Sequence, residues 1–90
     1  MELSEQLDYV VGRIRQIRHS KSISQLELAQ RAEMSQSFLA SVEAGKKQPS
    51  VVTILKLAQA LEMNPGDLFP KTIKNKAQIK EEIKSLLDNL

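Results

Sequence analysis

Apolar side chains recur at three- and four-residue intervals along most of the chain, and strict apolar/polar alternation is nowhere sustained, so the pattern predicts helices and no sheet. Leu7, Val10, Val11, Ile14 and Ile17 form one stripe of a first helix over roughly Glu5 to His19, with Ser4 placed to cap it. Ser24-Gln25-Leu26-Glu27 has the form of a capping box, in which the Ser24 hydroxyl and the Glu27 carboxylate satisfy each other's backbone amides. It opens a second helix to about Ala32, with Leu26, Leu28, Ala29 and Ala32 turned inward. After the turn Glu33-Met34-Ser35, Ser35 caps a third short helix that buries Leu39 and Val42 and ends at Gly45 in left-handed conformation. Ser50, following Pro49, caps a fourth helix through about Met63, with Ile54, Leu57, Ala58 and Leu61 as its core stripe. Asn64 and Pro65 start a one-turn fifth helix that delivers Leu68 and Phe69 to the core before Pro70 stops it. Beyond a basic connector, Ile79, Ile83, Leu86, Leu87 and Leu90 make a last apolar stripe, opposite Lys80, Glu81, Glu82, Lys84 and Asp88. The fold class is therefore all-α, organised as a domain over residues 1–70 and a C-terminal amphipathic helix within 71–90.

Composition narrows the function. Ninety residues, 41% hydrophobic and 27% charged, suit one small globular domain. A chain of this size buries only about 60 to 65% of its unfolded surface, so a second copy that hides more is a natural expectation. Cysteine is absent, which removes disulfides, thiolate metal sites and thiol nucleophiles. The acidic start Met1-Glu2-Leu3-Ser4-Glu5 does not resemble a secretory signal, and no apolar run approaches the roughly 18 residues of a membrane span. A cytoplasmic protein that does not engage membranes is expected.

Catalysis lacks parts. A nucleophile-base pair would need the lone His19, which sits at a helix end among Arg18, Ser20 and Lys21, where a solvated cation is favourable. There is no phosphate-cradling glycine loop and no carboxylate cluster at metal spacing, so neither an enzyme nor a cofactor or metal is expected. Charge points instead to a polyanion. The net charge is only +2, but residues 9–50 concentrate Arg13, Arg15, Arg18, Lys21, Arg31, Lys46 and Lys47 against Glu27, Glu33 and Glu43.

Two short helices joined by a tight turn, with the small residue Ala29 at their closest approach, form a helix-turn-helix. The run Gln25-Leu26-Glu27-Leu28-Ala29-Gln30-Arg31-Ala32, then Met34-Ser35-Gln36-Ser37-Phe38-Leu39, then Val42-Glu43-Ala44-Gly45-Lys46-Lys47-Gln48-Pro49-Ser50, resembles the Cro/phage-repressor-type (XRE) helix-turn-helix family. With Ala58, Leu61 and Asp67-Leu68-Phe69 the resemblance extends over about residues 10 to 70. It implies a five-helix, lambda-repressor-like domain whose third helix enters the major groove of double-stranded DNA.

The residue chemistry agrees. Gln36, Ser37, Ala40 and Ser41 occupy the polar face of the third helix. Gln36 can make a bidentate pair with adenine, and Ser37 and Ser41 can accept or donate. The resemblance implies that Gln25 contacts phosphate and braces the first glutamine of the next helix. It also implies that Lys46 and Lys47, with the amides after Gly45, clamp phosphate on the other side of the groove. Arg18 and Glu43 match a salt bridge that fixes the third helix, a partly exposed pair of small net energy, with Arg18 also facing phosphate. One position departs from the family: the turn residue after Ala32, usually Gly, is Glu33, so positive φ there would be strained.

One helix-turn-helix reads too few base pairs, and a homodimer on a palindromic operator is the expected remedy. The stripe of Ile79, Ile83, Leu86, Leu87 and Leu90 packs either across the dimer or back on the first helix beside Leu3 and Leu7. A repressor is the leading expectation. An antitoxin that binds a toxin and represses its own operon, and a helical protein-interaction module without DNA affinity, are the alternatives.

Overall fold

The computed structural model describes residues 2–70 and 84–88. Four α-helices and one 3₁₀ turn follow in order: α1 (Leu3–Ser20), α2 (Gln25–Arg31), α3 (Gln36–Glu43), α4 (Val51–Ala60) and the turn Pro65–Leu68. Residues 84–88 are also helical, and no strand occurs among the described residues. None of the described helices is long and apolar enough to cross a membrane. The expectations for Ile79, Ile83 and Leu90 lie outside the described residues.

Starts are local and follow the sequence signals. Ser24, Ser35 and Ser50 each accept, through the side-chain oxygen, the amide three residues on: Glu27, Phe38 and Thr53. Asn64 accepts from the Gly66 amide, with Pro65 at the first position of the turn. The Glu27 carboxylate does not complete its half of the capping box. It takes an ion pair with Arg31 at 2.7 Å, one helical turn ahead. Ser4 is not a cap: α1 begins earlier, with Glu2 at the N-cap and its carbonyl already accepting from Gln6.

Ends are more uniform than the sequence suggests. In all four helices the residue two past the last helical one donates its amide to the carbonyl three back, and the next residue donates to the carbonyl five back. Ser22 and Ile23 donate to His19 and Arg18, Glu33 and Met34 to Gln30 and Ala29, Gly45 and Lys46 to Val42 and Ser41, Glu62 and Met63 to Gln59 and Ala58. This is the Schellman arrangement, which requires positive φ at the first residue of each pair. Only one of the four is glycine. Ser22, Glu33 and Glu62 sit at φ 56, 57 and 55°, and Gly45 at 76°. The strain foreseen at Glu33 is thus repeated at Ser22 and Glu62, and α4 stops at Ala60 rather than Met63 because Glu62 turns the chain. Ile23, Met34 and Met63, the second residues of three pairs, repay the turn by packing on the core.

That core joins every element. Ile14, Leu28, Leu39, Val42, Leu57, Leu61 and Leu68 are its largest fully buried side chains. Leu7 is only half-buried and outside it, and two further expected members are exposed. Leu26 is 48% exposed, because two residues at about 100° each put it across the helix from Leu28. Phe69 is 45% exposed, since it leaves the 3₁₀ turn in extended conformation just after Leu68 is buried.

Candidate nucleic-acid interface

On α3, eight residues long, the buried positions Leu39, Val42 and Glu43 define an inner face. At about 100° per residue the remaining Gln36, Ala40, Ser37 and Ser41 fall, in that order, around a sector of about 140° on the opposite side. Gln36 and Ser37 are exposed, Ala40 and Ser41 half-buried. No described residue hydrogen-bonds the Gln36 amide, so its donor and acceptor are both open to a base edge. The Ser37 hydroxyl lies 3.4 Å from that of Ser35.

The helix is anchored by its last residue. Glu43, 4% exposed, accepts Arg18 Nε and Nη2 on its two carboxylate oxygens, both at 2.9 Å. Arg18 Nη1 donates to the Ile23 carbonyl at 3.0 Å, and the arginine is itself only 8% exposed. The pair is therefore buried and bidentate rather than partly exposed, and removing either partner leaves the other charge stranded. The same geometry removes Arg18 from the candidate phosphate contacts: its donors point inward, to Glu43 and the chain at Ile23.

Gln25 joins this cluster. Its Nε2 donates to Glu43 Oε1 at 3.1 Å, so the brace from α2 runs to the end of α3 and not to Gln36. The second hydrogen on that nitrogen has no acceptor among the described residues and is free for a phosphate oxygen. Arg15, not singled out from the sequence, donates from Nη1 to the Glu43 carbonyl at 2.5 Å and closes the C-terminal end of α3. Its three-residue spacing from Arg18 on one helix face is the signal that could have found it. Glu43 thereby ties α1, α2 and α3 into one rigid corner.

On the far side of α3 the loop after Gly45 is folded tightly back. The amides of Lys46 and Lys47 both donate to the Ser41 carbonyl, at 2.8 and 3.2 Å, and that of Gly45 to Val42. The expected clamp cannot use those amides, because they are spent inside the Schellman turn. What the loop offers is the side chains of Lys46 and Lys47, both exposed. Around the wheel, Gln25, bonded to Glu43, lies beside the Gln36 edge of this polar sector, and Lys47, over the Phe38 ring, lies beside the Ser41 edge.

Sequence reasoning also missed an apolar surface. Val51, Val52 and Leu55 are 72, 61 and 48% exposed along one side of α4; Leu86 and Leu87, named in the C-terminal stripe from the sequence, are exposed as well.

A helix-turn-helix family model matches residues 14–68. The uncharacterized HTH-type transcriptional regulator y4dJ of Sinorhizobium fredii is 38% identical over 56 residues, which are 62% of this chain and 73% of that protein. The restriction-modification controller protein C.AhdI from Aeromonas hydrophila is 40% identical with a TM-score of 0.67, covering 70% of this chain and 96% of that one. SinR of Bacillus subtilis, a master regulator for biofilm formation solved in complex with DNA, is 32% identical with a TM-score of 0.61, covering 66% and 95%. With the helix-turn-helix geometry, its buried anchor and these likenesses together, the chain belongs to the XRE-type helix-turn-helix family of DNA-binding regulators.

Proposed function

We propose that the protein is a transcriptional repressor that binds a palindromic operator as a homodimer, each subunit laying α3 in the major groove. Gln36 reads adenine, Ser37 and Ser41 make adaptable contacts, and Ala40 sits against the bases without a polar group to satisfy. Gln25 through its spare amide hydrogen, and Lys46 and Lys47 through their ammonium groups, hold the phosphates on either edge. The observation that carries this reading is the polar, outward sector of α3 on a helix whose far end is pinned by a buried ion pair.

A dimer places two such helices about 34 Å apart, one duplex turn. Two exposed apolar surfaces support it: Leu86 and Leu87 in the C-terminal segment, and Val51, Val52 and Leu55 on α4. In this division residues 1–70 bind DNA, and 71–90 join the subunits through the stripe of Ile79, Ile83, Leu86, Leu87 and Leu90. Covering a promoter then blocks transcription.

Selection from a randomised duplex library tests base reading and symmetry at once. The expected result is an inverted repeat with half-site centres about 10 base pairs apart. No enrichment, or an enriched sequence without symmetry, overturns the proposal.

A further inference from the structure

Lys46 and Lys47 are adjacent, exposed and equal in charge, yet the structure holds them differently. Both amides are pinned to the Ser41 carbonyl. Only Lys47 is also held at its tip: its Nζ lies over the Phe38 ring, 5.7 Å from the centroid. That ring cannot easily move away. Phe38 is half-buried, and its amide is held by the Ser35 cap at the first turn of α3. At about 200° from Gln36 on the helical wheel, Phe38 stands just beyond Ser41, at the border between the reading face and the core.

An ammonium attracted to an aromatic face keeps its three hydrogens available, since the ring contacts the charge without consuming a donor. A lysine tethered at its root by a backbone hydrogen bond and at its tip by a ring has already lost much of the rotamer freedom that a phosphate contact would otherwise remove. Lys46, whose tip has no partner among the described residues, has not.

We infer that Phe38 is a positioning residue for DNA binding: its ring holds the Lys47 ammonium at the Ser41 edge of α3, which makes Lys47 the stronger of the two phosphate contacts. This rests on the DNA-binding reading above and adds to it an unequal division of labour within the loop. It also assigns a role to an aromatic side chain that touches no base.

The test is a double-mutant cycle on the full chain, read by fluorescence anisotropy with a labelled pool of random-sequence duplexes, across a salt series. Lys47→Ala should weaken binding more than Lys46→Ala and should flatten the salt slope by about 0.9 per subunit. Phe38→Leu should weaken binding about two- to five-fold per subunit with the slope unchanged, because the charge is still present. Phe38→Tyr should restore it, and in the Lys47→Ala background Phe38→Leu should have no further effect. Trifluorophenylalanine at position 38, which keeps the shape of the ring while depleting its negative face, should behave as leucine does and answers for packing if the leucine variant melts early. If Phe38→Leu costs as much without Lys47 as with it, or if the fluorinated ring binds DNA like phenylalanine, the inference is wrong while DNA binding stands. If the unmodified protein shows no salt-dependent binding to the pool, the functional reading and this inference fail together.

Discussion

Glu43→Ala is the substitution with the most to lose. It removes a carboxylate that accepts from Arg18 Nε, Arg18 Nη2 and Gln25 Nε2, all within 3.1 Å. What remains is the guanidinium of Arg18, a residue buried in the parent, with only the Ile23 carbonyl and the neighbouring His19 ring beside it. Stranding one member of a buried pair costs about 3 to 5 kcal/mol. A domain of this size has a total stability of roughly 5 to 13 kcal/mol, so the loss is a large part of it. At about 4 to 8 °C per kcal/mol the melting temperature should fall on the order of 20 °C, measured by circular dichroism at 222 nm. The pair as a unit is a different matter, because its attraction is offset by the cost of taking two charges out of water. Replacing both members with apolar residues, Arg18→Met with Glu43→Leu, should therefore cost much less than Glu43→Ala alone. The double variant should still bind DNA less well, since Gln25 has lost its anchor on α3. A drop of less than about 5 °C for Glu43→Ala, close to what about 1 kcal/mol produces, would mean that water reaches the pair and that Glu43 is not the corner of the fold.

Three further outcomes are expected. Glu33→Gly and Glu62→Gly should each stabilise the protein by about 0.5 to 1 kcal/mol in urea denaturation, since positive φ costs a side chain more than glycine's extra unfolded freedom does. Gly45→Ala should do the reverse, from torsion alone, because a Cβ there meets nothing within 4 Å; equal melting of all three variants and the parent would refute the strain argument. Gln36→Ala should relax base preference at one symmetric pair of operator positions, whereas Lys46→Ala should weaken all sequences alike; a uniform loss from Gln36→Ala in a selection experiment would remove it from the base-reading set. Truncation after Pro70 should leave a monomer by sedimentation velocity. A persisting dimer would transfer the interface to the Val51, Val52 and Leu55 side of α4.

Much of this protein was legible in its sequence, and the legible part is local. Caps at Ser24, Ser35, Ser50 and Asn64 bind amides two or three residues away, so spacing along the chain is enough to place them. The outward polar face of α3 was legible for the same reason: Gln36, Ser37, Ala40 and Ser41 oppose Leu39 and Val42 on any α-helix. The positive φ at Glu33 followed from a turn that calls for glycine and does not have it.

Other features needed the chain to come together. The Arg18–Glu43 pair spans 25 residues, and its burial depends on how three helices meet, which no periodicity encodes. Gln25 was expected to brace Gln36, and the packing of α2 against α3 gave it the Glu43 carboxylate instead, the stronger acceptor for a half-buried amide. Leu26 and Phe69 are apolar enough for the core, but the core closed without them, around Leu28 and Leu68. Sequence alone determined which segments are helical and which side of each is polar, because those depend on neighbours a turn away. Tertiary structure decided which polar groups remain free to meet DNA, because a donor already satisfied by a distant part of the chain has little left to offer a ligand.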